Sequence, residues 1–317
     1  MSSRSLPPRT PPERAHLSLL AELSRAHFLE QKSKVQIAQE HQISRFQVAA
    51  LLQEARERGI VRISITVPSD TRDREVADAL GIPQLLSVES TDGARGIEPL
   101  ARALASVVAE HALEGTTIGI SWSRTIQAMA PYLPDFPHSV LVQLAGAVAP
   151  ADSTDAVPRL LASLTAKAAL PLWAPLVVEH GAEALSRTPE IARTLEQAHD
   201  LDLAVVAIGA WQPGLTGMWE RVPERARSEA RQRGAVAEVS GRLLAADGTA
   251  VHGAVDEMIV AATLDDIRSA RHAVGVSHGE HRARAVLAAV RAGLLDTLVC
   301  DAPLRDALAE LVAAEGR

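Results

Sequence analysis

Five residues, Ser121-Trp122-Ser123-Arg124-Thr125, close an apolar run, TIGI, and open a stretch with helical spacing. Hydroxyls, one guanidinium and the unpaired backbone N–H groups of a helix start are what a phosphate group needs. Ser123, Arg124 and Thr125 are the candidates there. A second polar group, His278-Gly279-Glu280-His281-Arg282, follows the apolar run 273–277 and also leads into a helical stretch. Two more apolar runs end on small residues, 140–144 at Ala145-Gly146 and 203–208 at Gly209. In an open parallel sheet these strand ends meet on one rim, where ligands bind. Two polar ends and two small ones favour a small, polar, anionic ligand.

A different chemistry belongs to 33–62, SKVQIAQEHQISRFQVAALLQEARERGIVR. Two short helices are expected, 34–41 and 45–58. Each is introduced by a capping box, Ser33 with Gln36 and Ser44 with Gln47, in which side chains and backbone satisfy each other's hydrogen bonds. Val48, Leu51, Leu52 and Ala55 make one helical face, and Gly59 suits a C-terminal position with positive φ. The turn between the helices is short, with Ile43 tucked beneath it. This is the pattern of a helix-turn-helix, whose second helix enters the DNA major groove. Arg45 can pair with guanine and Gln47 with adenine. Lys34, Ser44, Phe46, Arg56 and Arg58 complete the candidate DNA contacts, and Arg62 could reach a phosphate.

The elements that carry these groups follow from periodicity. A helix at 13–30 would complete a three-helix core. The stretch 61–67, VRISITV, alternates like a strand and sits where a winged helix-turn-helix has its wing. From residue 85 onward strand-like runs (85–89, 117–121, 140–144, 203–208, 273–277, 297–300) alternate with helical ones (96–113, 123–130, 155–168, 189–199, 223–233, 279–293, 302–314). That alternation predicts an α/β domain with a mostly parallel sheet. Residues 235–260 break it, and the Asp247-Gly248 pair predicts an inserted hairpin. Expected boundaries are a disordered tail at 1–12, a DNA-binding domain at 13–67 and a larger ligand-binding α/β domain at 68–317.

Composition agrees. The 317 residues are 47% hydrophobic and carry a net charge of −7. Residues 1–67 hold ten Lys/Arg against six Glu, a net +4, so the remainder carries −11. A small basic module on an acidic body suits a regulator with one DNA-facing part. No apolar run is long enough for a membrane span, the Pro- and Ser-rich start lacks a secretory core, and the single Cys300 excludes an internal disulfide. A cytoplasmic protein is expected, with no cofactor and no metal. No P-loop, dinucleotide fingerprint or HExxH pairing is present. Trp211 and Trp219, in WQPGLTGMW, could cover a ligand or a subunit interface, or anchor the loop.

ISRFQVAALLQEARERGIVRISI resembles the DNA-binding segment of the SorC family of sugar-binding bacterial transcriptional regulators. GTTIGISWSRT is similar to that family's strand-to-helix turn, and GAVAEVSGRLLAADG, PLWAPLVVE and VGVSHGEHRARAVLAAVRAGLLDTLVCD to its later landmarks. The resemblance covers roughly 13–314. It implies an N-terminal winged helix-turn-helix followed by a Rossmann-like, phosphosugar-isomerase-like effector domain, homo-oligomers (dimers or tetramers), double-stranded operator DNA as partner and a sugar or sugar phosphate as effector. By resemblance, Ser123, Arg124 and Thr125 match the effector-phosphate turn and Ala145 and Gly146 the next loop. Glu238 and Asp247 match acidic positions near the hairpin, and Arg282 stands where relatives often carry a Lys. Ser123 replaces a usual Gly, and His278 a small residue. The alternative is a sugar-phosphate isomerase with an accessory DNA-binding module. It would need a general base from Glu238, Asp247, Asp301, His278 or His281, or a Schiff-base lysine, for which Lys167 is the one Lys beyond residue 34. An isomerase has no use for the capped helices at 33–58, so no catalytic residue is expected.

Overall fold

The computed structural model describes residues 11–57, 60, 61, 70–89, 96–147 and 156–315. The chain divides into two compact units, residues 1–66 and 67–317.

In the first unit, α1 (Pro11–Phe28), α2 (Lys34–Glu40) and α3 (Arg45–Glu57) pack into a small bundle. Leu23, Ala26, Ile37, Ala38, Val48 and Leu52 form its core. Helix α1 begins at Pro11, inside the stretch expected to be tail. Both capping boxes form: Ser33 accepts the Gln36 N–H at 3.2 Å while Gln36 accepts the Ser33 N–H at 2.8 Å. Ser44 and Gln47 do the same at 3.1 and 2.8 Å. The turn between α2 and α3 passes through Gln42 at φ 54 and returns the Ile43 N–H to the Ala38 carbonyl. Arg58, Gly59, Arg62 and all of the expected wing strand after Val61 lie outside the described residues.

The second unit is built on a parallel sheet in the order β1-β9-β8-β5-β2-β3-β4. Its strands are β1 (Gln84–Val88), β2 (Thr117–Ile120), β3 (Phe136–Gln143), β4 (Ala166–Leu170), β5 (Leu203–Ala210), β8 (His272–Val276) and β9 (Thr297–Asp301). The helices are α4 (Thr71–Leu80), α5 (Glu98–His111), α6 (Arg124–Ala128), α7 (Ala156–Ser163), α8 (Ala182–Ser186), α9 (Pro189–Gln197), α10 (Glu224–Gln232), α11 (Leu264–Ser269), α12 (Ala283–Arg291) and α13 (Ala302–Glu315). Strand β5 shows why the sheet is central. Ala204, Val206 and Ile208 enter the core on one face, and Leu203 and Val205 the core on the other. Two-sided burial is what a parallel sheet between helices requires. The order reverses between β2 and β5, which opens a crevice at their carboxyl ends.

Two expectations need correcting. The stretch 155–168 is not one helix. Helix α7 stops at Ser163, and Ala166–Leu170 becomes edge strand β4, paired with β3. Alanine on its own favours a helix, and pairing with a neighbouring strand overrides that preference here. Lys167 is exposed on that strand. The hairpin consists of β6 (Ala235–Val239) and β7 (Arg242–Ala245), with β6 antiparallel to the end of β5. Its turn is Ser240-Gly241, with φ of 51° and 91°. Positive φ at both positions matches the twist of a two-residue hairpin. Asp247-Gly248 makes a second, later turn, in which Asp247 accepts the Thr249 N–H at 3.0 Å and its hydroxyl at 2.7 Å.

A buried ion cluster ties α4 to α13. Asp73, 2% exposed, accepts from the Ser87 N–H at 2.8 Å, the Ser87 hydroxyl at 2.6 Å and Arg305 at 3.2 Å. Each carboxylate oxygen has a donor, the condition for burying such a charge.

Candidate functional site

A cavity of about 270 Å³ lies at the carboxyl ends of β2, β5 and β8, beside the β6–β7 hairpin. Four of its walls come from strand ends. After β2, Ser121 to Thr125 turn into α6, with Ser123 as the cap that accepts the Ile126 N–H at 3.0 Å. The end of β5 contributes Ala207, Ile208 and Gly209. Ser277, His278 and Arg282 come from the end of β8 and the turn beyond it, and Ala145 from the loop after β3. The hairpin supplies Glu238, Ser240 and Gly241, and the loop 214–218 closes the remaining side.

Two of the lining residues are cationic. Arg124 is exposed and has no hydrogen-bond or ion-pair partner among the described residues. Arg282 is held from behind, donating to the Leu215 carbonyl at 3.2 Å and the His278 carbonyl at 2.7 Å. Burial lowers the pKa of Arg282, the positive charge of Arg124 lowers it further, and Asp301 opposes both. Glu238 is the carboxylate of the cavity. It accepts the Gly241 N–H at 2.6 Å and the Thr216 hydroxyl at 2.8 Å. Burial pushes its pKa up, and those two hydrogen bonds pull it back.

The small residues have separate tasks. A Cβ on Gly209 would come within 2.9 Å of the Thr216 side chain and 3.2 Å of Glu238, so glycine lets loop 214–218 lie against β5. Gly146 is not among the lining residues. A Cβ there would stand 2.5 Å from the Pro175 carbonyl, and its N–H donates to the Val260 carbonyl. It is a packing position. Gly279, at φ 82°, gives its N–H to Asp301 at 2.9 Å and shapes the turn carrying His278 and Arg282. Asp247 is exposed in its own turn and does not reach the cavity lining. Trp211 and Trp219 pack edge to face at 5.3 Å in the core and anchor both ends of the loop.

Sequence reasoning missed Thr216, Ser240 and Gln143. Ser240 donates to Ser121 at 2.9 Å and pins the hairpin to the β2 turn. Gln143, 1% exposed, donates to the Ala145 carbonyl at 2.7 Å and accepts the Leu172 N–H at 3.0 Å, bracing the loop after β3. Thr216 could have been found in the Gly-rich loop between the two tryptophans. Gln143 carries no motif. Among the described residues no group of three or more His, Cys, Asp or Glu could hold a metal ion, and no helix is long and apolar enough to cross a membrane.

In the first unit, Ser44, Arg45, Phe46 and Gln47 lie at the start of α3, all exposed, and Lys34 starts α2. The guanidinium of Arg45 lies 4.9 Å from the Phe46 ring centroid. Arg56 stands over Phe28 of α1 at 5.3 Å.

The geometry can be set beside known proteins. Residues 70–308 match the family profile described as "Putative sugar-binding domain". The chain is 23% identical over 303 residues to the deoxyribonucleoside regulator of Bacillus subtilis, covering 91% of this chain and 96% of that one. It is 24% identical over 305 residues to the sorbitol operon regulator of Klebsiella pneumoniae, covering 89% and 95%. The crystal structure of that full-length sorbitol operon regulator, SorC, superimposes with a TM-score of 0.67 at 18% identity, over 93% of this chain and 99% of that one. A DeoR family regulator from Listeria monocytogenes gives 0.66 at 22%, over 75% and 98%. With a family match spanning well over half its length, the chain belongs to the SorC family of sugar-binding transcriptional regulators.

Proposed function

We propose that the protein is a transcriptional regulator whose grip on an operator duplex is set by a phosphorylated sugar in the cavity. The observation that carries this reading is the pairing of two arginines with one carboxylate in a single cavity. Arg124 and Arg282 face the same space and repel each other, so a bound phosphate would relieve that repulsion. Ser121 and Thr125 lie beside them. Glu238, fixed by Gly241 and Thr216, is oriented to accept from a sugar hydroxyl. An isomerase would need a base free to take a proton. Of the base candidates, Asp247, Asp301, His281 and Lys167 lie outside the lining, and Glu238 is held in place by two hydrogen bonds.

DNA is bound through α3, with Arg45 at a base edge and Lys34 at a phosphate. Two copies of the chain face two half-sites, because two-fold symmetry on the protein calls for it on the operator. The sugar changes operator affinity to the extent that it prefers one arrangement of the assembly over another.

The experiment uses the full chain. Its thermal denaturation is followed with pentose and hexose phosphates, the same free sugars, and inorganic phosphate. The reading expects a concentration-dependent rise in Tm with one sugar phosphate above that with its free sugar. It also expects that ligand to change retardation of duplex fragments from around the protein's own locus. No rise with any phosphorylated sugar would overturn it.

A further inference from the structure

We infer that α3 reads its operator chiefly by packing Phe46 against a thymine methyl group, with Arg45 fixing the neighbouring base. The inference rests on the reading of α3 as the DNA-facing helix and says what that helix recognises.

The inner face of α3 is set by Val48, Leu52 and Ala55, all buried. At 100° per residue, Phe46, Ala50 and Gln53 project from the opposite side. Phe46 is 72% exposed, among the large apolar side chains most open to water in the described chain. Ala50, one turn further on, is exposed as well. The outward face therefore begins with an aromatic ring followed by a methyl group, where hydrogen-bonding side chains would be expected on a helix that reads bases by polar contacts alone.

The polar candidate beside it is already occupied. Reading adenine by two hydrogen bonds requires both the acceptor and the donor of a carboxamide. The carbonyl oxygen of Gln47 accepts the Ser44 N–H at 2.8 Å in the capping box, which draws the carboxamide back toward the helix start and leaves the oxygen one lone pair. Arg45 differs. Its N–H donors have no partner among the described residues, and its guanidinium is steadied by the Phe46 ring at 4.9 Å. An arginine held this way suits the two acceptors of guanine. The C5 methyl of thymine is the apolar group on the major-groove edge, and an aromatic side chain is one of its recognised partners. Ring and guanidinium lie side by side at the start of α3, which places the methyl and the guanine on adjacent base pairs.

The test selects duplexes with the full wild-type chain from a pool with a randomised centre. Each thymine of the winning sequence is then replaced in turn by uracil, which deletes only the methyl. Binding is read by fluorescence anisotropy at fixed salt for wild type, Phe46→Ala and Phe46→Leu, with circular dichroism to check that the variants fold. The expected result is one thymine per half-site whose replacement weakens wild-type binding about fourfold, the factor that burial of one methyl-sized group corresponds to. That factor falls to one in Phe46→Ala and stays above one in Phe46→Leu. A uracil effect of the same size in Phe46→Ala, or tolerance of uracil at every position, overturns the inference and leaves α3 as the DNA-facing helix. Failure of the wild-type chain to enrich any sequence overturns the reading of α3 and the inference with it.

Discussion

Arg124 and Arg282 approach one cavity from opposite kinds of support. The first stands free at the start of α6, and the second is clamped to two backbone carbonyls, Leu215 and His278. The charge of Arg124, second only to burial, holds the Arg282 guanidinium below its ordinary pKa. Two like charges kept this close favour an anion between them. Arg124→Ala should therefore leave unfolding within about 0.5 kcal/mol of wild type, as an exposed residue without partners does. It should abolish the Tm rise produced by a sugar phosphate. Arg282→Ala should lower both, because it also strips donors from two carbonyls, a loss of about 1–3 kcal/mol. Thermal scans with and without ligand separate the two. Equal ligand-induced rises in wild type and Arg124→Ala would remove Arg124 from the anion's partners.

The strand ends that carry these arginines were legible because burial on both faces writes itself into composition. The run LAVVAIGA admits few readings other than an inner strand, and Gly209 near its end lines the cavity. Strand β4 was not legible. AKAAL lies at the sheet edge, and alanine favours a helix, so the local composition pointed away from the strand that pairing with β3 imposes. Asp247-Gly248 is a stronger turn signal than Ser240-Gly241, yet the weaker pair makes the β6–β7 turn, because the register brings Val239 opposite Arg242. Asp247 entered the expected site by resemblance to an acidic position near the hairpin, whereas Ser240, the residue that reaches the cavity, carried no such match. Gln47 shows a subtler limit. The spacing from Ser44 that announces a cap also draws back the carboxamide that a base-reading glutamine would extend.

Glu238 should make stability fall as pH rises. Burial raises its folded-state pKa above that of the unfolded chain, against the pull of Gly241 and Thr216. Below the unfolded value, about 4.3, both states are protonated and the group contributes nothing to pH dependence. Above it the unfolded chain ionises first, so stability is lost until the folded carboxyl also ionises. Glu238→Gln removes that ionisation and retains one acceptor for the Gly241 N–H. The Tm of the variant minus that of wild type should increase from pH 4 to pH 8. A difference that stays constant across that range would mean that the carboxyl is not raised.

Gly146 and Gly209 both sit at strand ends, and their alanine variants should fail in different ways. At Gly146 the new methyl would meet backbone, the Pro175 carbonyl at 2.5 Å and the Leu176 nitrogen at 2.6 Å. Neither can swing aside. Gly146→Ala should therefore lose about 1–3 kcal/mol, read as a lower midpoint in urea with an unchanged slope. At Gly209 the obstacles are the Thr216 side chain, the Leu215 carbonyl and Glu238, all lining the cavity. Room can be made there only by moving the loop or the carboxylate. Gly209→Ala should thus weaken the Tm rise given by the sugar phosphate by a larger factor than Gly146→Ala does, after each is referred to its own unliganded stability. The reverse order would place the ligand away from loop 214–218, since only a ligand that touches that loop feels a methyl inserted beneath it.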